Sequence, residues 1–199
     1  MEKNKQHYEH LVIGFGKGGK TLAAYLAKHG KQVALIERSE KMYGGGCINI
    51  ACIPTKSFIV SAENNLPYEK AYEVKNELTS FLRKKNFDNI EELELATVIT
   101  GDAAFVSPHE VSVKLHSGNE ELLISADRIF INTGSEPFVP SIPGITSSKK
   151  VFTSASLMEQ SVLLKKLVII GGGFIGLESL LSGKNRIILF SNGWLRFCG

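Results

Sequence analysis

Apolar residues come in short blocks along the chain, and the spacing inside each block changes with position. Leu11–Ile13 is a run that stops at Gly14, and Leu22, Ala23 and Leu26 then fall on one helical stripe. His10 to Gly30 is therefore predicted as strand, tight turn and helix; Gly30 suits the residue after a helix end, with Lys28 and His29 well placed in the last turn. QVALIER follows as a second strand closing on Glu37. Gly44 to Lys56 is a glycine-rich approach to a helix, with Pro54 in an early turn where proline is tolerated. From Ser57 to about Leu95 the pattern is helical and mostly polar. Its expected apolar stripe is Tyr72, Leu78, Phe81 and Leu82, and its charges read as a solvated face.

Beyond Ala96 the period shortens to two. TVITGDAAF, EVSVKL and ELLIS are predicted strands, split by turn residues at Ser107–Pro108 and Ser117–Gly118–Asn119. Ala126 to Pro137 is a buried strand ending in Thr133-Gly134-Ser135, and Pro137, Pro140 and Pro143-Gly144 make a turn-rich linker. The expected division is residues 1–146 and 147–199. In the second part, Ser156–Glu159 has the pattern of a capping box, and KKLVIIGGGFIGLES repeats strand, turn and helix. Ser182-Gly183-Lys184-Asn185 is expected to end that helix early, and RIILF to be the next strand. The alternation places the chain in the α/β class. The architecture expected is a Rossmann-like three-layer domain with a small β-meander, followed by the start of a second nucleotide-binding domain.

Totals narrow the function classes. A chain of 199 residues with 43% hydrophobic content builds one or two domains with a sizeable core. With 23 basic and 20 acidic residues, the net charge of +3 is too weak to argue for nucleic acid or an anionic membrane as partner. The first residues, MEKNKQHYEH, lack an apolar signal core, and the run around Leu167–Leu177 is too short to span a bilayer. A cytoplasmic protein with no membrane segment and no metal site is expected. Three cysteines do not make a secreted disulfide scaffold; in a reducing compartment a persistent pair is more often catalytic. Cys198 is read as incidental.

Gly14, Gly16 and Gly19 have the spacing G-x-G-x-x-G, and Gly171, Gly173 and Gly176 repeat it. The first glycine makes a tight turn, the second admits a pyrophosphate to the backbone, and the third lets helix and strand pack closely. The helix start then offers unpaired N–H groups to phosphate. Glu37 stands where an acidic residue would hold a ribose hydroxyl. The plainer alternative for Glu37 is a solvated strand end.

Cys47 and Cys52 form C-x4-C after three glycines. Helical positions five apart are separated by about 7.5 Å along the axis, whereas a disulfide needs Cα atoms roughly 4.4–6.8 Å apart. If the two bond, the first helical turn is distorted and the bond is more easily reduced. A helix start also favours the thiolate. The alternative is two reduced, buried cysteines.

The segment GGGCINIACIPTK, between two dinucleotide-type glycine motifs, resembles the flavoprotein disulfide reductases, or pyridine nucleotide-disulfide oxidoreductases, which include lipoamide dehydrogenase, glutathione reductase and mercuric reductase. Gly44, Gly45, Cys47, Asn49, Cys52, Pro54, Thr55 and Lys56 match that family's signature. Gly46 stands where threonine is usual and Ala51 where glycine is usual. Gly101-Asp102-Ala103 is similar to the G-x-A segment facing the adenine of FAD, and Thr133-Gly134-Ser135 to the A-T-G-S-x-P segment, with Asn132 replacing alanine. The local text is most similar to the mercuric-reductase-like branch that includes bacterial hypothiocyanous acid reductases.

The resemblance implies FAD held by the first motif, NADH or NADPH by the second, and electron flow through FAD to the cysteine pair and on to a small oxidant or disulfide. It implies Cys52 as the flavin-side thiol, Cys47 as the interchange thiol and Lys56 at the flavin ring edge. Contacts to the cofactor are expected from Gly45, Gly46, Ala103, Thr133 and Gly134. Relatives of this kind are homodimers with a distal His–Glu pair. His7, His10, His29, His109 and His116 lie in unmatched segments and are read as surface or packing. Ser191 stands where an acidic ribose ligand would end the strand. The expectation is an incomplete nucleotide domain, no dimerisation domain and impaired turnover, the other readings being a non-catalytic remnant or a lipoamide dehydrogenase-type fragment.

Overall fold

The computed structural model describes residues 4–116, 118, 120–181 and 186–190. Ser191, Cys198, the expected helix break at 182–185 and turn residues 117 and 119 lie outside them. The chain divides into two compact units: residues 1–49 with 80–136, and residues 50–79 with 137–199.

In the first unit, β1 (Asn4–Ile13) is followed by α1 (Lys17–Lys28) and β2 (Val33–Glu37). After a single 3-10 turn at Glu40–Met42 comes a short helix, α2 (Gly46–Asn49). Strands β3 (Ala96–Ser107), β4 (Glu110–Leu115) and β5 (Glu121–Ile131) complete it. Strand β1 pairs in parallel with both β2 and β5, and β2 pairs in parallel with β3. Strands β3, β4 and β5 are antiparallel, so the hydrogen bonding closes into a ring. The expected meander is thus continuous with the parallel sheet, because β3 and β5 are long enough to serve both.

The burial pattern explains the three layers. All five residues of β2 are buried. Val33 and Leu35 pack with Val12 of β1 and with Ala23 and Ala27 of α1. Ala34 and Ile36 point the other way, into a core with Leu11, Ile99, Val111, Val113 and Ile124. A strand buried on both faces reads as a continuous apolar run rather than an alternating one. Each fully buried Val, Leu or Ile among them contributes about 1.5–3 kcal/mol. Strand β1 is longer than its apolar run predicts. Residues Asn4 to Tyr8 are polar and largely exposed, yet they pair with Leu122 to Ala126 of β5. Backbone pairing carries that half of the strand.

In the second unit, α3 (Cys52–Glu63) precedes α4 (Tyr68–Glu91), whose residues to Thr79 belong here and whose remainder belongs to the first unit. Then follow α5 (Ser154–Leu157), β6 (Lys166–Ile170), α6 (Phe174–Leu181) and β7 (Arg186–Phe190), with β6 and β7 parallel. Two expectations are corrected. The capping box is Thr153 with Ser156, not Ser156 with Glu159. On α4 the buried positions are Ala71, Lys75, Thr79 and Ile90, whereas Leu78 and Phe81 are exposed. The α4 face is polar where it meets polar neighbours: Lys75 is 2% exposed, with Glu159 at 3.6 Å and the Tyr72 ring at 4.5 Å.

Candidate functional site

The first glycine loop is built from three parts of the first unit. Gly14 has φ +107°, which excludes side chains, and Gly16 caps α1 without any side-chain acceptor. The early N–H groups of α1 are therefore left for an anion. A Cβ on Gly19 would lie 2.3 Å from the Gly14 carbonyl oxygen, and one on Gly45 would lie 2.5 Å from the Gly16 Cα. The cysteine segment thus presses backbone to backbone on the loop, a contact only glycine permits. Glu37, 8% exposed, accepts from the Phe15 N–H at 2.9 Å through Oε2 and from the Ser39 N–H at 3.2 Å through Oε1. Each carboxylate oxygen keeps a second acceptor position, which suits a ribose hydroxyl. Gly14, Gly16, Gly19, Glu37 and Gly45 are brought together. The cradle, its free N–H groups and its buried carboxylate fit a dinucleotide.

The cysteine segment is more elaborate than a distorted first turn. Cys47 lies on α2 and is half-buried; Cys52 opens α3 and is exposed. Between them Ala51 has φ −135°, outside the left-handed region, so alanine at this position carries no left-handed penalty. Asn49 fixes the Cys47 side. Its Nδ2 donates to the carbonyls of Tyr43 and Gly45, both at 3.0 Å, while its Oδ1 accepts from Arg83 Nε at 2.9 Å. Lys20 of α1 donates to Asn86 Oδ1, and Asn86 lies beside Gly44. Burial, then the charge of Lys17, pull the Lys20 ammonium below the usual lysine value, while Cys47 draws it up. Arg83, Asn86 and Lys20 were not singled out by the sequence; the i, i+3 spacing of Arg83 and Asn86 on a polar helix was the available signal.

In the second unit Pro54 and Thr55 are buried at the start of α3. Lys56 Nζ lies 2.6 Å from Glu178 Oε1 on α6, with the two side chains 61% and 36% exposed. Gly171 has φ +115°, and a Cβ on Gly176 would meet the Gly171 carbonyl oxygen at 2.5 Å. No described atom lies within 4 Å of a Cβ placed on Gly171 or Gly173.

Of the other expected positions, Thr133 adjoins the loop, its N lying 3.1 Å from a Cβ placed on Gly14. Ala103 pairs with Val113 and packs on the meander core. Thr133 and Gly134 are exposed, Gly134 with φ +77°. His10 is buried in a tilted contact with Phe130. Among the described residues no cluster of three or more His, Cys, Asp or Glu could hold a metal, and no helix is long and apolar enough to cross a membrane.

The family profile for pyridine nucleotide-disulphide oxidoreductases matches residues 8–181. The chain belongs to this family. Among its relatives, the Escherichia coli K12 protein named a probable pyridine nucleotide-disulfide oxidoreductase, RclA, is 48% identical over 171 residues, covering 86% of this chain and 38% of RclA. The Chlamydia pneumoniae dihydrolipoyl dehydrogenase is 33% identical over 190 residues, covering 87% and 40%. The solved Cu(II) complex of the HOCl-induced flavoprotein disulfide reductase RclA from E. coli superposes with TM-score 0.88 at 44% identity, covering 92% of this chain and 42% of that one. The chain spans about two fifths of the length of these relatives. Pyridine nucleotide-disulphide oxidoreductases of this flavoprotein type use FAD and NAD(P)H, and this chain shares their α/β fold.

Proposed function

We propose that this chain carries the electron-transfer half of an FAD-dependent disulfide oxidoreductase acting on a small oxidant or disulfide. The observation that supports it best is the contact of Gly45 with Gly16, which sets the Cys47 segment directly on the dinucleotide loop. The first unit would hold FAD through Gly14, Gly16, Gly19, Glu37, Gly45 and Gly46, with Ala103, Thr133 and Gly134 at its margins. Gly171, Gly173 and Gly176 would serve NADH or NADPH. Residues 1–146 and 147–199 are our proposed cofactor domains, and full-length proteins of this kind would be cytoplasmic homodimers.

When bound, the flavin supplies two-electron transfer from NAD(P)H to the cysteine pair. Two electrons and one proton convert the Cys47–Cys52 disulfide to one thiolate and one thiol. Cys52, at the start of α3, would hold the flavin-side thiolate, stabilised by the unpaired N–H groups there. Cys47 would attack the substrate, held in place by Asn49 and with the Lys20 charge favouring its thiolate. Lys56, paired with Glu178, would keep a positive charge at the flavin edge.

The purified chain is expected to be yellow, and reduction by dithionite to give a long-wavelength thiolate-to-flavin absorbance. Cys52→Ser is expected to abolish that band and Cys47→Ser to retain it. The reverse pattern would overturn the role assignment, and a colourless preparation the cofactor assignment.

A further inference from the structure

Asn132 follows the last residue of β5, and its backbone N–H donates to the carbonyl of Ile13, the last residue of β1, at 2.7 Å, carrying the parallel pairing just past the end of β5. That register lays its carboxamide across the first glycine loop. Nδ2 donates to the Gly14 carbonyl at 3.1 Å. A Cβ on Gly16 would lie 2.9 Å from Nδ2, one on Gly19 2.7 Å from Nδ2, and one on Gly18 3.0 Å from Oδ1.

The Gly14 carbonyl and the Phe15 N–H belong to one peptide unit. Its N–H is taken by Glu37 Oε2 at 2.9 Å and its carbonyl by Asn132. A peptide unit is planar, so holding both ends fixes its rotation. Here it fixes the carbonyl against α1. The unit immediately follows Gly14, whose φ of +107° only glycine adopts readily, and glycine is the residue with most freedom to lose. An unclamped loop would sample the turned-over peptide, which swings the carbonyl away from α1 and sets its oxygen against the Glu37 carboxylate, where a ribose hydroxyl would bind.

We propose that Asn132 is a positioning residue for the dinucleotide loop. It clamps the Gly14–Phe15 peptide from the carbonyl side while Glu37 clamps it from the N–H side, so that the loop is set before FAD arrives. Preorganisation of this kind appears as affinity. The inference rests on the FAD reading above, but its first readout needs no cofactor.

Hydrogen exchange of the apo chain is expected to show the Phe15 amide about tenfold less protected in Asn132→Ala, with the melting temperature nearly unchanged. FAD binding, followed by quenching of flavin fluorescence, is expected to weaken about tenfold in Asn132→Ala and about a hundredfold in Asn132→Asp. Asp keeps the volume but removes the donor and adds a negative charge beside the phosphate site. Unchanged Phe15 protection together with wild-type FAD affinity in Asn132→Ala would overturn the proposal. So would Asn132→Asp binding as well as wild type, since shape alone would then suffice. If the wild-type chain took up no FAD, the cofactor reading would fall with it. If wild type bound FAD and the variants matched it, only the role of Asn132 would fall.

Discussion

The two glycine motifs share a spacing and a local geometry but not their surroundings. In each, the first glycine has a positive φ, +107° at Gly14 and +115° at Gly171. In each, a Cβ on the third glycine would strike the carbonyl oxygen of the first, at 2.3 Å for Gly19 and 2.5 Å for Gly176. That handshake between strand end and helix start is local, written within six residues. The first loop is also gripped from a distance, by Glu37, Gly45 and Asn132. The second, among the described residues, has no atom within 4 Å of the added methyl at its first two glycines. The motif encodes a turn. The enclosure that the proposed FAD site needs is made by residues far along the chain that close on it.

The largest expected effect tests this directly. Gly14→Ala would place a methyl 2.2 Å from the Asn132 carbonyl oxygen, on a φ that alanine resists. Backbone strain and overpacking together are expected to cost about 3–5 kcal/mol. Gly171→Ala meets no described atom and is expected to cost only the backbone preference, about 1–2 kcal/mol. Chemical denaturation of both variants checks the difference. Equal losses would mean that local conformation, not enclosure, governs both loops.

The same division explains how much was legible in the sequence. Features with a short period or a fixed spacing could be read: β2, the strand–turn–helix units, the α/β class, the glycine handshake. Glu37 could be located, but not its grip on the Phe15 amide, because that hydrogen bond spans 22 positions. Asn132 showed in the sequence only as an off-pattern residue. Its importance comes from the parallel register of β1 and β5, which places Ile13 beside Ile131 and which no local pattern states. Helix α4 departs from its expected stripe at Leu78 and Phe81 for a related reason. Apolar periodicity finds faces that meet apolar neighbours, whereas between the buried Ala71 and Ile90 this face of α4 carries Lys75, Thr79 and the half-buried Arg83 that holds Asn49.

A middle-sized effect is expected at Glu37. Glu37→Gln keeps an oxygen for one of the two backbone N–H groups and turns an amide N–H towards the other. Hydrogen bonds to a charged acceptor are worth about 1.5–3 kcal/mol, so a loss of about 2 kcal/mol is expected. Melting of the apo chain checks it. The second loop has no counterpart among the described residues, so its own glycine substitutions should not depend on the state of Glu37. A Gly171→Ala penalty that changed in the Glu37→Gln background would show the loops to be coupled.

The smallest effect is expected at the tie to the second motif, the Lys56–Glu178 pair. Although the 2.6 Å separation is short, both side chains reach solvent, Lys56 to 61%. Water screens such a pair, and ordering two long side chains offsets much of the attraction, so exposed pairs contribute about 0–1 kcal/mol. A double-mutant cycle with Lys56→Met and Glu178→Gln isolates the coupling from the other contacts each residue makes. We expect less than about 1 kcal/mol, falling further as salt is raised. A coupling above about 2 kcal/mol, insensitive to salt, would mean that this pair is shielded in solution. The second motif would then be gripped from a distance as the first is, and the contrast between the loops would be lost.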